Sequence, residues 1–233
     1  MNDTFKRAAA EKALGFVESG MKLGLGTGTT AENFLELLAE KVRGGLRIVG
    51  AATSQRTEAK ARALGIPLGD LDALAPLDLA IDGADEADRS LNLIKGGGGA
   101  LLREKIVAAS ARRMIVIADE SKLVERLGRF PLPIEVTSFG HATTASRIRN
   151  AVTALGYENV PIRQRNGFVT DSGNMIYDCG YGAIRDPRLL AFALAAIPGV
   201  VDHGLFINLA STLVIAGRDG ISILNRSNPS PSP

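Results

Sequence analysis

The chain has 233 residues, of which 45% are hydrophobic, enough for one large domain or a medium domain with a smaller companion. Its 27 basic and 25 acidic side chains are interspersed, only 5% of residues are aromatic and Trp is absent, which argues against a nucleic-acid-binding surface. The single cysteine, Cys179, excludes an internal disulfide framework and fits a reducing compartment. The sequence has no signal-peptide pattern and no apolar run of membrane-spanning length. We therefore expect a cytoplasmic protein that handles a small molecule, with neither nucleic acid nor membrane as partner.

Helix and strand patterns alternate through the first half of the chain. Apolar residues at helical spacing predict helices at 4–17, directly after a glycine turn at 24–30, at 54–64 and at 100–111. Short apolar runs predict strands at 22–25, 47–52, 77–81 and 114–118. Such alternation is typical of an α/β protein with a Rossmann-like parallel sheet and helices on both faces. Ligands in these folds bind at the carboxyl ends of the strands.

The pattern changes after the Phe-Pro-Leu-Pro segment at 130–133. Helices are predicted at 141–155 and 185–196, the second with Asp186 as N-cap and Pro187 at its first position. Strands are predicted at 161–165, 168–170, 174–178 and 200–207, and those at 212–216 and 221–224 return to the main sheet or its edge. We therefore predict three parts: a Rossmann-like domain (1–129 with about 207–226), a smaller α+β domain (about 130–206) and a disordered tail (227–233).

The stretch from residue 78 to residue 105 is the main candidate for a functional site. Asp82, Asp85 and Glu86 follow an apolar strand, and Lys95 precedes four glycines, Gly96–Gly99. Four consecutive glycines cost backbone entropy and are tolerated where a ligand must approach backbone N–H groups. The following helix carries Glu104 and presents a positive dipole end that suits an anion. Clustered carboxylates suit acid–base chemistry, with a solvated turn as the alternative.

The glycine turn at 24–30 matches neither a dinucleotide fingerprint nor a Walker loop, because Thr29 stands where glycine is required and no Lys-Ser/Thr follows. Its threonines and N–H groups suit a phosphate or sugar oxygen, and an ordinary strand–helix turn is an equal alternative. Calcium-loop spacing is absent and both histidines fall in the second half of the chain, so we expect no metal. His141, His203 and Cys179 are expected to be structural or surface residues, since no nucleophilic triad can be assembled around them.

Seven segments together resemble the ribose-5-phosphate isomerase type A family, and the resemblance runs in order from about residue 5 to residue 224. They are GLGTGTTA (24–31), DGADE (82–86), KGGGGALLREK (95–105), ADESK (118–122), FPLPIEV (130–136), VTDSGN (169–174) and PGVVDHGLF (198–206). The combination of DGAD, KGGG and REK is highly specific to the family, whereas the glycine turn alone is not. The chain departs from the family pattern at none of these positions.

The resemblance implies interconversion of ribose 5-phosphate and ribulose 5-phosphate through an enediolate, with Glu104 as general base and no metal or cofactor. Asp82 is a candidate for opening the furanose ring, and Asp85 for holding hydroxyls or moving the proton between O1 and O2. The resemblance also implies a ferredoxin-like second domain and a homodimer or larger homo-oligomer. The residues implied to bind substrate are Thr27, Gly28, Thr29, Thr30, Asp82, Gly83, Ala84, Asp85, Lys95, Gly96, Gly97, Gly98 and Lys122.

Three alternative functions are compatible with related folds. A non-catalytic sugar-phosphate sensor in a transcription regulator would need a helix-turn-helix segment, for which the short N-terminal helix leaves no room. A hexosamine-phosphate deaminase-like enzyme would act on an amino sugar. A coenzyme A transferase would use a glutamate as nucleophile. Ribulose formation from ribose 5-phosphate, tested beside glucosamine 6-phosphate, distinguishes these functions.

Overall fold

The structure, a computed structural model of the chain, describes residues 2–226, so the predicted disordered tail at 227–233 lies outside the described residues. The first part of the chain forms α1 (Asn2–Leu14), β1 (Lys22–Leu25), α2 (Thr29–Arg43), β2 (Val49–Ala52), α3 (Gln55–Ala63), α4 (Leu71–Leu74), β3 (Leu79–Gly83), β4 (Glu86–Ala87), β5 (Leu93–Ile94), α5 (Leu101–Ala109) and β6 (Met114–Asp119). A 3-10 turn, Glu120–Lys122, follows β6. The second part forms β7 (Leu132–Val136), α6 (His141–Ala154), β8 (Ile162–Gln164), β9 (Met175–Cys179), α7 (Pro187–Ala195), β10 (Val200–His203), β11 (Leu205–Phe206), β12 (Thr212–Gly217) and β13 (Gly220–Asn225).

A six-stranded sheet with the order β13-β12-β6-β3-β1-β2 forms the larger part of the fold. Five of its strands are parallel, and β13 is the antiparallel edge strand. One face is covered by α1 and α2, whose apolar side chains, including Ala9 and Phe34, pack on β1, β3 and β6. The other face receives α5 through Val107 and Ala108. The predicted parallel sheet with helices on both faces is confirmed.

The second part of the chain forms a smaller unit with the order β7-α6-β8-β9-α7-β10 along the chain. Its four strands are antiparallel and lie in the order β10-β7-β9-β8. This βαββαβ arrangement is the ferredoxin-like fold that the resemblance implied. Asp186 caps α7 by accepting hydrogen bonds from the N–H groups of Arg188 and Leu189, with Pro187 in the first turn as predicted.

Two strand predictions in this region are wrong. The predicted strand at 200–207 is divided at Gly204, because β10 pairs with β7 while β11 pairs with β5 in a separate three-stranded sheet. A Cβ at Gly204 would lie 2.2 Å from the carbonyl oxygen of Lys95, so only glycine fits at this crossing. The segment 168–170 is not a strand, because the hydroxyl of Thr170 donates to Glu135 and accepts from the N–H of Asn174, which closes a turn instead.

The pairing of β5 with β11 connects the two predicted domains close to the glycine loop. The domain boundaries expected from the sequence, 1–129 with about 207–226 and about 130–206, stay predictions. The carboxyl ends of β1, β3 and β6 are adjacent in the sheet, and each leads into one of the segments predicted to carry function.

Candidate active site

A pocket of about 130 Å³ lies at the carboxyl edge of the main sheet. It is lined by most of the predicted residues and by one that the sequence did not indicate, Lys6. The predicted residues in its lining are Thr27, Gly28, Thr29, Thr30, Gly83, Ala84, Asp85, Lys95, Gly96, Gly97, Gly98, Glu104 and Lys122. Asp82 is the exception, because its carboxylate lies behind Lys95 and is only 3% exposed.

Lys95 is the electrostatic centre of the site. Its ammonium nitrogen lies 3.0 Å from Asp82 Oδ2 and 3.1 Å from Glu104 Oε1, and it donates to the carbonyl oxygen of Gly83 at 2.7 Å. The residue is 2% exposed. Burial by itself would lower the pKa of Lys95, but the two carboxylates outweigh burial and raise it. A buried ammonium with this many partners stays charged and fixed in position.

Glu104 lies in the first turn of α5, is 5% exposed, and uses only one of its two carboxyl oxygens. Oε1 accepts from Lys95, whereas Oε2 has no hydrogen-bond partner among the described residues. Burial raises the pKa of Glu104 to about 8; Lys95 opposes this shift and Asp82 adds to it. A carboxylate that has a raised pKa and one oxygen without a hydrogen-bond partner is suited to accept a proton from a bound molecule.

Asp82 connects two neighbouring strands rather than following one. The sequence predicted a strand end at residue 81, but β3 continues to Gly83, so Asp82 lies within the strand. Its Oδ1 accepts from the N–H groups of Thr27 and Gly83, at 3.0 and 2.7 Å. Burial raises the pKa of Asp82, against the opposing charge of Lys95. The Asp82 side chain therefore joins the turn after β1 to the end of β3 and forms an ion pair with Lys95 on the side away from the pocket.

The glycine loop takes a conformation that other residues would not adopt easily. Gly96 and Gly99 have φ angles of 98° and 81°, in the left-handed region that favours glycine. The N–H of Gly97 donates to Asp85 Oδ2 at 2.7 Å, and the N–H of Gly99 donates to the carbonyl of Gly96 at 2.9 Å. The N–H of Gly98 donates to no acceptor within residues 2–226. The N–H of Gly98, a residue that lines the pocket, is therefore an open backbone donor of the loop.

The glycine turn after β1 presents the start of α2 to the same pocket. Gly28 is the N-cap residue and supplies no side-chain hydrogen bond to the helix, so the first N–H groups of α2 remain open. Thr27 does not offer its hydroxyl, because that oxygen lies within 2.9 Å of the hydroxyls of Thr53, Ser54 and Thr57. Thr29 is exposed and Thr30 is half-buried. An open helix N-terminus favours an anion.

Two lysines from distant parts of the chain complete this end of the pocket. Lys122 ends the 3-10 turn after β6, as the sequence predicted for the loop at 119–122. Lys6 comes from α1, and its side chain is 18% exposed with Asp3 at 3.6 Å. Helical periodicity predicted the helix at 4–17 but gave no signal that the face carrying Lys6 borders the site. Positive charge is thus concentrated where the N-terminus of α2 is open.

Several other polar residues serve the fold. Glu86 was predicted as part of one carboxylate cluster, yet its side chain accepts from the N–H groups of Gly128 and Phe130 and is 1% exposed. Cys179 is fully buried in the core of the smaller unit, a structural position as expected. Within residues 2–226, no group of three or more His, Cys, Asp or Glu side chains is arranged to hold a metal ion. No helix in the described part of the chain is both long and apolar enough to cross a membrane.

Comparison with known proteins supports the resemblance seen in the sequence. The family model described as ribose 5-phosphate isomerase A (phosphoriboisomerase A) matches residues 49–220. The ribose-5-phosphate isomerase A of Brucella suis biovar 1 (strain 1330) is 56% identical over 225 residues, covering 95% of this chain and 97% of the relative. That of Rhodopseudomonas palustris (strain BisA53) is 57% identical over 230 residues, covering 97% and 95%.

Solved structures give the same result. A D-ribose-5-phosphate isomerase in complex with phospho-erythronic acid superposes with a TM-score of 0.90 at 38% identity, covering 97% of this chain and 100% of that one. The ribose 5-phosphate isomerase from Plasmodium falciparum superposes with a TM-score of 0.88 at 40% identity, covering 97% and 100%. Both likenesses extend over nearly the whole of this chain and therefore over both parts of the fold. The chain therefore belongs to the ribose 5-phosphate isomerase A family.

Proposed function

We propose that the chain interconverts D-ribose 5-phosphate and D-ribulose 5-phosphate through an enediolate, with Glu104 as the general base. The observation that carries the proposal is the buried carboxylate of Glu104, which keeps one oxygen without a partner in a pocket lined by a glycine loop and two lysines. The names of the similar proteins support the substrate pair. The residue roles rest on the family resemblance of the motifs and on the geometry of the site.

The reaction needs one proton to move between adjacent carbons. In the open-chain aldose, Glu104 Oε2 takes the proton from C2, the electron pair of that bond forms the C1–C2 double bond, and the C1 carbonyl oxygen becomes an oxyanion. A proton then passes from O2 to O1, and Glu104 returns its proton to C1 while C2 becomes the carbonyl carbon. A single carboxylate serves both carbons, as the glutamate of triosephosphate isomerase does. The hydrogen bond from Lys95 to Oε1 keeps the other oxygen available.

Charge on the enediolate oxygens requires fixed donors. The unpaired N–H of Gly98 and the uncapped start of α5, whose N-cap Ala100 supplies no side-chain hydrogen bond, lie in the same loop as Lys95. Preorganised donors of this kind stabilise developing charge without reorganisation during the reaction. Asp85 lines the pocket and is held by the N–H of Gly97, a position from which it could relay the proton between O2 and O1.

Ring opening by Asp82 stays a prediction. Its carboxylate contacts Lys95 and two backbone N–H groups and does not line the pocket, so any proton that it exchanges with the sugar would travel by way of Lys95. The same geometry allows a second role for Asp82, in which its carboxylate holds the ammonium group of Lys95 in position. Both roles require the ion pair.

The phosphate is assigned to the end of the pocket formed by α2. The open N–H groups after Gly28, the hydroxyls of Thr29 and Thr30, and the ammonium groups of Lys6 and Lys122 supply donors and positive charge. The proposal further includes a place in the non-oxidative pentose phosphate pathway and a homodimer or larger homo-oligomer, both of which rest on the family resemblance. It also includes a cytoplasmic location, which rests on the reducing compartment that the single cysteine fits.

The test compares Glu104→Gln with Glu40→Gln, which changes an exposed glutamate of α2 in the same way. The wild-type protein should form ribulose 5-phosphate from ribose 5-phosphate and should not act on glucosamine 6-phosphate. Removing a general base typically costs ~10²–10⁴ in rate, so kcat of Glu104→Gln should fall by at least about the lower figure with KM much less changed.

Glu104→Gln should fold, because Lys95 keeps Asp82 at 3.0 Å and the amide oxygen of glutamine can still accept its hydrogen bond. Exchange of the substrate C2 proton with deuterated solvent should disappear together with turnover. Glu40→Gln should keep wild-type kinetics. Retained C2 exchange in folded Glu104→Gln would show that another group is the base, with Asp85 as the next candidate.

A further inference from the structure

Arg165, which follows β8 in the smaller unit, reaches across to the glycine loop of the site. Its Nη1 donates to the carbonyl oxygens of Gly97 at 3.1 Å and Gly96 at 3.4 Å. Its other nitrogens are held by Asp178, with Nε–Oδ2 at 2.9 Å and Nη2–Oδ1 at 2.6 Å. The guanidinium therefore uses one side for a bidentate pair with Asp178 and the remaining nitrogen for the loop.

Phe168 supports the same contact. The Arg165 guanidinium lies 5.4 Å from the centre of the Phe168 ring, and that ring packs against Gly99 so closely that a Cβ there would lie 2.0 Å from it. The loop is thus held on its outer side by one cation and one aromatic ring, both from the turn between β8 and β9. Neither residue belongs to the lining of the pocket.

Because a peptide unit is planar, the contact of Arg165 with the loop carbonyls also fixes the direction of the loop N–H groups on the pocket side. In a planar trans peptide, the C=O and the N–H of the next residue point in opposite directions. The peptide between Gly96 and Gly97 follows the rule, since its carbonyl accepts from Arg165 while its N–H donates to Asp85, which lines the pocket. The next peptide has its carbonyl on Arg165 as well, so the N–H of Gly98 is directed to the pocket side, where it has no partner in the described chain.

We propose that Arg165 is a positioning residue for the isomerase reaction, which orients the Gly97–Gly98 peptide so that its N–H stabilises the enediolate oxyanion. The inference rests on the proposed function. It assigns to the smaller unit an indirect part in the chemistry, exerted through the glycine loop, although none of its residues lines the pocket. Glycine has the most backbone freedom of any residue, so a run of four glycines needs an external contact to keep one peptide orientation.

The contact is specific to arginine. Holding a carboxylate with two nitrogens while a third donates to a carbonyl requires the planar fork of a guanidinium, whereas lysine offers a compact point charge. An ion pair that merely joined β8 to β9 would need no donor on the loop. The two possibilities predict different kinetics for the same variants.

The experiment measures kcat, KM and melting temperature for wild type, Arg165→Ala, Arg165→Lys and the control Arg163→Ala. Arg163 is an exposed arginine two residues earlier in β8; its backbone pairs with β9, and its side chain makes no hydrogen bond or ion pair to any described residue. Loss of one oxyanion donor costs ~10²–10³ in kcat, so a misdirected donor should lower kcat of both Arg165 variants roughly 10- to 100-fold. KM of both Arg165 variants should stay within about threefold of the wild-type value, because the residues assigned to the phosphate are unchanged.

A binding measurement separates positioning from general loosening. The probes are phospho-erythronic acid, the ligand in one similar solved structure, and inorganic phosphate. In the Arg165 variants affinity for the acid should fall at least about tenfold while affinity for phosphate is unchanged, because only the carboxylate of the acid can use the Gly98 N–H.

The outcomes separate the two levels of inference. A wild-type protein without isomerase activity would refute the proposed function itself. An active wild type with both Arg165 variants at wild-type kcat would overturn the role of Arg165, as would a rise in KM alone or equal weakening of both probes. Should Arg165→Ala fail to fold, Arg165→Lys decides by the same criteria.

Discussion

Removal of the buried cation at Lys95 should shift the pH dependence of the enzyme in a defined direction. In the wild type, Glu104 must lose its proton before it can act as base, so kcat/KM should rise with pH through the raised pKa of about 8. This rising limb of the pH profile lies above the second pKa of a phosphate monoester, near 6, and is therefore distinguishable from titration of the substrate. The predicted profile is a single rise in the weakly alkaline range.

Lys95→Met removes the charge and the hydrogen bond that lower the pKa of Glu104 and leaves Asp82, which raises it. An opposite charge within about 4–6 Å shifts a carboxyl pKa by ~1–3 units, and Lys95 lies 3.1 Å from Glu104. The rising limb should therefore move ~1–3 pH units to the alkaline side, which lowers the ionised fraction near neutral pH by ~10- to 1000-fold. Any deficit that persists on the alkaline plateau measures the contribution of Lys95 to oxyanion stabilisation.

Stability should respond to pH as well. A buried carboxyl whose pKa is raised on folding stabilises the protein while it is neutral, and that stabilisation is lost as pH rises through the folded pKa. In Lys95→Met this loss of stability should continue to higher pH than in wild type, since Asp82 and Glu104 face each other without a cation and the pKa of Glu104 is raised further. The assay is a kcat/KM profile with melting temperatures at each pH, and Lys41→Met, at an exposed position of α2, is the control. An unshifted limb in folded Lys95→Met would refute the electrostatic account of Glu104.

Two further predictions concern the phosphate and metals. Lys122→Ala, Lys6→Ala and Thr29→Ala should each raise KM more than they lower kcat, because a remote anchor is held in ground and transition states alike; steady-state kinetics with lowered kcat and unchanged KM would contradict this. Exhaustive chelation should leave activity intact, since the described residues offer no metal-binding cluster. Loss of activity on chelation with rescue by one divalent ion would count against the mechanism.

The local chemistry of the chain was readable from the sequence. The alternation of apolar strands and amphipathic helices predicted the parallel sheet. Because ligands bind at the carboxyl ends of such strands, the pattern also predicted that the glycine turn, the acids at the end of β3 and the loop that ends at Lys122 lie at one edge of the sheet. Asp186 and Pro187 marked the start of α7 by local hydrogen-bonding and dihedral preferences. These signals depend on neighbours within a few residues, which a sequence displays directly.

The tertiary structure decided the features that depend on contacts between distant segments. Glu86 and Asp85 are adjacent in sequence, yet one accepts from the loop at 128–130 and the other from the glycine loop. The strand pattern at 200–207 did not reveal its division, because the obstacle is the carbonyl of Lys95, more than a hundred positions earlier. Local periodicity cannot report such long-range crossings.

The candidate active site, too, combines features that the sequence predicted with features that only the fold decided. The sequence by itself determined that an acid, a lysine and a glycine loop occur together at a helix start, which sufficed for the family and for Glu104 as the candidate base. Only the fold decided that Glu104 is buried and that Lys95 lies between two carboxylates. Only the fold decided, too, that Lys6 lines the pocket and that Arg165, from a distant part of the chain, contacts the glycine loop. The physical reason is that a pKa and a donor direction depend on desolvation and on charges in three dimensions, which chain order does not encode locally.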